Sequence, residues 1–220
     1  MDTQLTPIEE RVLGCLIEKE MATPEYYPLS LSALVNACNQ KSNRHPAMAL
    51  DTETVKKTLY ELRVEHKLAI EVSSSGSRTL KYRHNISEHW NFSPAEMAIL
   101  CELFVRGPQT PGDLRAHANR LNPIADAHEA DEILQGLETR EDGPMVLHLP
   151  REPGKRERRW VHLFADEPQL EESPPEAPLQ IATAPTREDR IQTLENEIAE
   201  LRQELSDLKE QFEAFKTAFE

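Results

Sequence analysis

Glycine is scarce in this chain, at 7 of 220 residues, and aromatic side chains make up only 5%. A large sheet protein draws heavily on both, for turns and for strand surfaces, whereas small helical domains need neither. Cysteine is as sparse: Cys15, Cys38 and Cys101 are odd in number, widely spaced and without a CxxC pair. That excludes a disulfide framework and a cysteine zinc ribbon, and it predicts reduced thiols in a cytoplasmic protein. No apolar run approaches the length of a membrane span, and the N-terminal stretch MDTQLTPIEERV has neither the basic nor the apolar region of a signal peptide.

Catalytic wording is also missing. There is no GxGxxG, no GxSxG and no phosphate-loop lysine motif. The eight histidines are scattered, and Cys38 and His45 have no CxxC or HxxxH companion. The expectation is a protein that is not an enzyme and that carries no cofactor and no metal.

An excess of positive charge is lacking too. The formal net charge is −14, a balance that by itself argues against nucleic acid. The distribution changes that argument. Residues 1–87 carry 11 Lys+Arg and 11 Asp+Glu, residues 88–165 carry 9 and 13, and residues 166–220 carry 5 and 15. Most of the acidity therefore belongs to the tail, and the front of the chain is neutral.

What is present centres on Asp51–Arg83. Val55, Leu59 and Leu62 fall on one helical face behind a capping Asp51. Leu68, Ile70 and Val72 then alternate with polar residues, Ser73–Ser77 with its Gly76 is able to turn, and Leu80 and Tyr82 return between Lys81 and Arg83. A helix feeding a basic-tipped hairpin is the core of a winged helix. Upstream, Thr6-Pro7-Ile8-Glu9 opens a helix running to about Glu20, and Ser30 caps a second over Leu31–Cys38. Between that helix and the third lies Asn39–Leu50, far longer than the 3–4 residues of an ordinary helix-turn-helix.

The pattern then restarts. Ser93-Pro94-Ala95-Glu96 repeats Thr6–Glu9 87 residues on, Thr110-Pro111 opens a second helix that ends near Pro123, and Asp126 with Glu129 forms a capping box for a third that ends near Glu141. Met145–Leu149 and Trp160–Phe164 read as strands around the basic turn 150–159. Helix, helix, helix, hairpin thus occurs twice. The expected fold is mainly α with small β-hairpins (α+β): winged-helix domains at 1–87 and 88–165, an acidic proline-rich linker at 166–185 and a coiled-coil helix at 186–220. In that last segment Ile191, Leu194, Ile198, Leu201, Leu205, Leu208, Phe212, Phe215 and Phe219 alternate spacings of three and four. Arg190 with Glu195, Glu197 with Arg202, and Glu204 with Lys209 become attractive pairs in a parallel dimer. The alternative is an amphipathic helix that docks on its own chain.

Tyr27-Pro-Leu-Ser, Ala37-Cys-Asn-Gln-Lys-Ser-Asn-Arg-His-Pro46, Arg140-Glu-Asp-Gly-Pro144 and Arg151-Glu-Pro-Gly-Lys-Arg156 are specific wording. Over about residues 3–165 the chain resembles the YceH-like family of uncharacterised bacterial tandem winged-helix proteins. The resemblance implies that fold in a cytosolic bacterial protein and brings no activity and no catalytic residues.

Candidate contact residues follow from residue type. On the third helix Thr52, Thr54, Lys56, Lys57 and Tyr60 lie off the apolar face, and Arg78, Lys81 and Arg83 belong to the first hairpin. In the long loop Asn39, Gln40, Lys41, Asn43 and Arg44 are the side chains that make bidentate base contacts, and equally those that make turns and caps. The second hairpin offers Arg151, Lys155, Arg156, Arg158 and Arg159, but the helix before it opens with Asp126, Glu129, Asp131 and Glu132, which repel phosphate. The leading reading is a DNA-binding transcriptional regulator or nucleoid-associated factor, a parallel homodimer that does not engage membranes. The alternative is a protein–protein adaptor, with the second domain as its contact. Sedimentation of the full chain against a 1–165 truncation is expected to give a dimer and a monomer; two monomers would refute dimerisation by the tail.

Overall fold

The computed structural model describes residues 4–73, 79–151, 154–155 and 157–165. The linker at 166–185 and the heptads at 186–220 lie outside the described residues, as do Arg78 and Arg156. The described residues form a mixed α+β structure of six α-helices and small antiparallel sheets.

Local chemistry sets where the helices begin. α1 (Pro7–Ala22), α2 (Leu31–Cys38), α3 (Thr52–Val64), α4 (Pro94–Arg106), α5 (Pro111–Ala118) and α6 (Ala127–Glu138) each follow a Thr, Ser or Asp whose side chain accepts a backbone N–H of the first turn. At Thr6 and Ser93 the capping box is reciprocal, with Glu9 and Glu96 reaching back to the cap N–H. At Asp126 it is not: Glu129 accepts from the Ala125 N–H instead (2.6 Å). α6 also stops at Glu138, three residues before Glu141, and α5 gives way at Ala118 to a turn rather than continuing to Pro123.

Two sheets complete the two runs. β1 (Leu29–Ser30), β2 (Ala69–Val72) and β3 (Lys81–His84) form an antiparallel sheet in the order β1-β3-β2, with Leu29 opposite Tyr82 and Glu71 opposite Tyr82 from the other side. β4 (Val146–His148) pairs with β5 (Trp160–His162), and a bridge from Gln109 to Trp160 takes the place that β1 holds in the first run. The first hairpin departs from simple alternation. Leu68 is buried just before β2, and Leu80 is left exposed just before β3.

The buried residues of both runs belong to one hydrophobic cluster. Its centre is the crossing of α1 and α4. The Cys101 thiol donates to the Gly14 carbonyl (3.4 Å), and these two residues, like Pro7 and Pro94, are 87 apart. The two helices therefore meet at equivalent positions. A Cβ on Gly14 would stand 2.8 Å from both Phe104 Cβ and Val105 Cγ1, so a side chain there forces the helices apart. The ends of the two runs meet as well: the Leu5 N–H donates to the Phe164 carbonyl (2.6 Å).

Gly14→Val is expected to lower stability by about 3 kcal/mol, the upper part of the range for overpacking a core. Gly136→Ala, on α6 with nothing within 4 Å of the added carbon, is expected to raise it by up to about 1 kcal/mol. Urea midpoints of the full-length variants measure both; equal shifts would contradict the close approach at Gly14.

Candidate nucleic-acid interface

The long loop takes its shape from buried charge. Glu18 on α1 and Glu102 on α4 are both fully buried, as is Arg44 at the loop's centre. The Arg44 side chain has no exposed surface, and its guanidinium is fully committed. Nε donates to the Ala37 carbonyl (3.1 Å), Nη1 to Glu18 Oε1 (3.1 Å) and the Asn43 carbonyl (2.8 Å), and Nη2 to Glu18 Oε2 and Gln40 Oε1 (3.2 Å). Arg120 Nη2 bridges the two carboxylates, donating to Glu18 Oε1 and Glu102 Oε1 at 2.7 Å each. Arg106 donates from Nε to Glu102 Oε2 (2.9 Å) and from Nη2 to Asn43 Oδ1.

Beside this cluster the neck of the loop is closed by one amide. Asn39 Nδ2 donates to the Leu50 carbonyl and Asn39 Oδ1 accepts the Leu50 N–H, both at 2.7 Å. Arg11, also buried, donates to the carbonyls of Cys38 (3.3 Å) and Pro46 (2.7 Å), and the His45 N–H donates to the Val105 carbonyl (2.9 Å). Asn39, Gln40, Asn43 and Arg44 are thus engaged as braces of the loop, Arg44 buried, Asn39 and Gln40 half-buried and Asn43 exposed. Of the five loop candidates only Lys41 stands free of the knot; it is exposed, at the rim of a hollow of about 520 Å³ before α3.

The ion pairs set the protonation of the cluster. Burial works to raise the Glu18 carboxyl, but the hydrogen bonds and charges of Arg44 and Arg120 outweigh it and hold the group below its ordinary 4.5. Burial likewise works to strip Arg44 of its proton, and Glu18 overrides it, raising that guanidinium. At Arg11 burial prevails, helped by the neighbouring charge of Arg44, and that guanidinium is lowered.

α3 presents the remaining candidates. Its apolar face, Val55, Leu59 and Leu62, is buried against the core. Thr52, Lys56, Lys57 and Tyr60 are turned to solvent, with Tyr60 58% exposed. Thr54 is half-buried and engaged, its N–H donating to Asp51 Oδ1 (2.7 Å) and its carbonyl accepting from Thr58 Oγ1 (2.9 Å). Lys57 lies 3.5 Å from Glu61, and Arg63 is paired with Glu71 at 2.8 Å. In the hairpin Lys81 and Arg83 are half-buried on β3. One exposed residue of α3 was missed by charge-based reading: Val64, 47% exposed, lies one turn beyond Tyr60.

In the second run Arg151, Lys155, Arg158 and Arg159 are all exposed around the β4–β5 turn, with Arg151 Nε donating to the Lys155 carbonyl (2.6 Å). The carboxylates of α6 have local roles. Asp126 caps the helix, Glu129 accepts from Ala125, and Asp131 accepts from Gln135 (2.7 Å), while Glu132 is 64% exposed. Among the described residues no group of three or more His, Cys, Asp or Glu side chains is placed to hold a metal, and no helix is long and apolar enough to cross a membrane.

Glu18, Glu102, Arg106 and Arg120 also escaped the sequence reading. Glu102 carried a usable mark, as the lone charge in the run Ala98–Val105. Arg44→Met is expected to cost about 3 kcal/mol, because it leaves the buried Glu18 carboxylate with only the one-third-exposed Arg120 as partner. The Glu18 contribution is full above the ordinary carboxyl value near 4.5 and disappears as pH falls through the depressed folded value. The stability gap between the natural chain and Glu18→Gln should therefore narrow on acidification below about pH 4.5, and urea midpoints across pH 7 to 3 check it. A gap independent of pH would contradict the ion pair.

Residues 5–155 match the family described as protein of unknown function, DUF480. The chain is 53% identical over 170 residues to a UPF0502 protein of Geobacter sulfurreducens, covering 77% of this chain and 76% of that one. It is 44% identical over 192 residues to a UPF0502 protein of Aeromonas hydrophila, covering 86% and 87%. With a UPF0502 protein of Klebsiella pneumoniae it shares 49% identity over 171 residues, covering 76% and 78%. The match spans the capped helices, the braced loop and the first strand of the second hairpin, and the chain belongs to this DUF480 family, the YceH-like group of UPF0502 proteins that its loop wording resembles.

Proposed function

We propose that the chain is a non-enzymatic DNA-binding protein built of two tandem winged-helix units, acting as a transcriptional regulator or nucleoid-associated factor and dimerised by its C-terminal heptads. The observation that carries this reading is the outward face of α3. Thr52, Lys56, Lys57 and Tyr60 project from a helix whose opposite face is fixed in the core, beside a hairpin extended to three strands by β1. That is the arrangement by which a winged helix lays its third helix in a major groove. The module is near neutral, so affinity rests on a few phosphate contacts and on two copies acting together rather than on a broad basic field.

A second reading is favoured by α6. Its exposed Glu132 and half-buried Asp131 and Glu129 disfavour phosphate, while Tyr26, 71% exposed, offers an anchor of the kind found in protein interfaces. In this reading the chain is an adaptor that binds another protein.

Salt-dependent gel shifts with the full chain separate the two. Because both runs share one core, the full chain is the right object. If Lys56 and Lys57 meet phosphate, Lys56→Glu/Lys57→Glu should weaken binding at least about tenfold and flatten the slope of log K against log salt by about 2. Undetectable binding at low salt, or a variant that binds as well as the natural chain, would refute the DNA reading through α3.

A further inference from the structure

In the long loop Asn39, Gln40, Asn43 and Arg44 are each engaged in bracing, and α3 offers no amide and no unpaired guanidinium to a base. α3 itself contains no Asn or Gln, and its one arginine, Arg63, is paired with Glu71. What the outward face does hold is an exposed apolar pair one turn apart, Tyr60 and Val64, with Lys56 and Lys57 a turn before them. Asp51 and Glu53 stand at the N-terminal end of the helix and repel phosphate there; of the two lysines Lys57 shares its charge with Glu61 at 3.5 Å but stays 78% exposed, and Lys56 is the stronger attraction.

An apolar pair next to paired cations has a counterpart in the major groove. Each A·T pair presents one apolar group there, the 5-methyl of thymine, between flanking phosphates. The lysines fit the phosphates by charge, and Tyr60 and Val64 fit the methyls by apolar contact. We propose that α3 selects DNA through thymine methyl groups, with Tyr60 and Val64 as the specificity-determining residues and Lys56 and Lys57 as the phosphate contacts. This rests on the DNA reading above and names what that face recognises.

Replacing thymine by uracil removes the methyl and leaves every hydrogen-bonding group of the base unchanged, which isolates the proposed contact. Two pools of random duplexes, one made with thymine and one with uracil, are bound by the full chain at low salt. Sequences selected from the thymine pool are then remade with uracil. Burial of one methyl is worth about fourfold in affinity, so loss of two contacts should weaken the selected sites about fifteenfold. In Tyr60→Ser/Val64→Ser, both at exposed positions, thymine and uracil sites should bind equally. Equal binding of both pools by the natural chain would overturn methyl recognition while leaving DNA binding standing. A thymine preference that survives in the double variant would overturn the assignment to these residues. No binding to either pool would overturn the DNA reading and this inference with it.

Discussion

Two buried carboxylates, Glu18 and Glu102, are held in place by the guanidinium groups of Arg44, Arg120 and Arg106. Taking such charges out of water costs several kcal/mol each, and only close pairing with satisfied hydrogen bonds offsets it. The consequence is geometric. Glu18 lies on α1, Arg44 in the loop, Glu102 and Arg106 on α4, and Arg120 just beyond α5. None of these elements shifts without separating a charge from its partner. Arg120 is one-third exposed, so its share is screened; the Glu18–Arg44 pair, with almost no exposed surface, is the firm part.

That pair also explains why a 12-residue loop is able to stand where a short turn would serve. A long polar loop ordinarily runs over the surface, where water satisfies its backbone. Here Arg11 and Arg44 donate to the carbonyls of Ala37, Cys38, Asn43 and Pro46, and Asn39 closes the neck at Leu50. The loop is a joint between the runs, anchored by the buried Arg44 with most of its other residues exposed, and it reaches α4 through His45 and Val105. It sets the start of α3, whose cap Asp51 follows Leu50 directly, and so it fixes the outward face of that helix.

The legible parts of this structure are those set by near neighbours in sequence. Caps such as Thr6 with Glu9 and Ser93 with Glu96 depend on three-residue spacings, and each helix starts where those spacings place it. β1 was not legible, because a two-residue strand has no alternation to read and its partner Tyr82 lies some fifty residues on. Gly14 gave no sign of its role, since its constraint comes from Phe104 and Val105 in the other run. The loop side chains were ambiguous for a chemical reason. Asn, Gln and Arg offer the same groups to a base edge and to a backbone carbonyl or N–H, and only the partners they meet in the fold distinguish the two uses. Val64 was obscured in the opposite way, unlike its neighbour Tyr60: it continues no polar pattern and reads as core until its exposure is seen.

The two runs share a plan but spend their charge differently. In the first, carboxylate and guanidinium are drawn inward to the joint, and α3 keeps lysines and apolar groups outward. In the second, Arg115 is turned back onto the carbonyls of Ile124 and Ala125, Asp126 and Glu129 serve the start of α6, and the basic residues gather at the hairpin turn. Because α1 and α4 cross at equivalent positions, each run's helical core packs against the other's. The runs differ in the outward charge of their third helices and hairpins. In the DNA reading this makes the runs unequal partners: α3 discriminates, and the Arg151–Arg159 turn adds cations that strengthen binding without reading sequence.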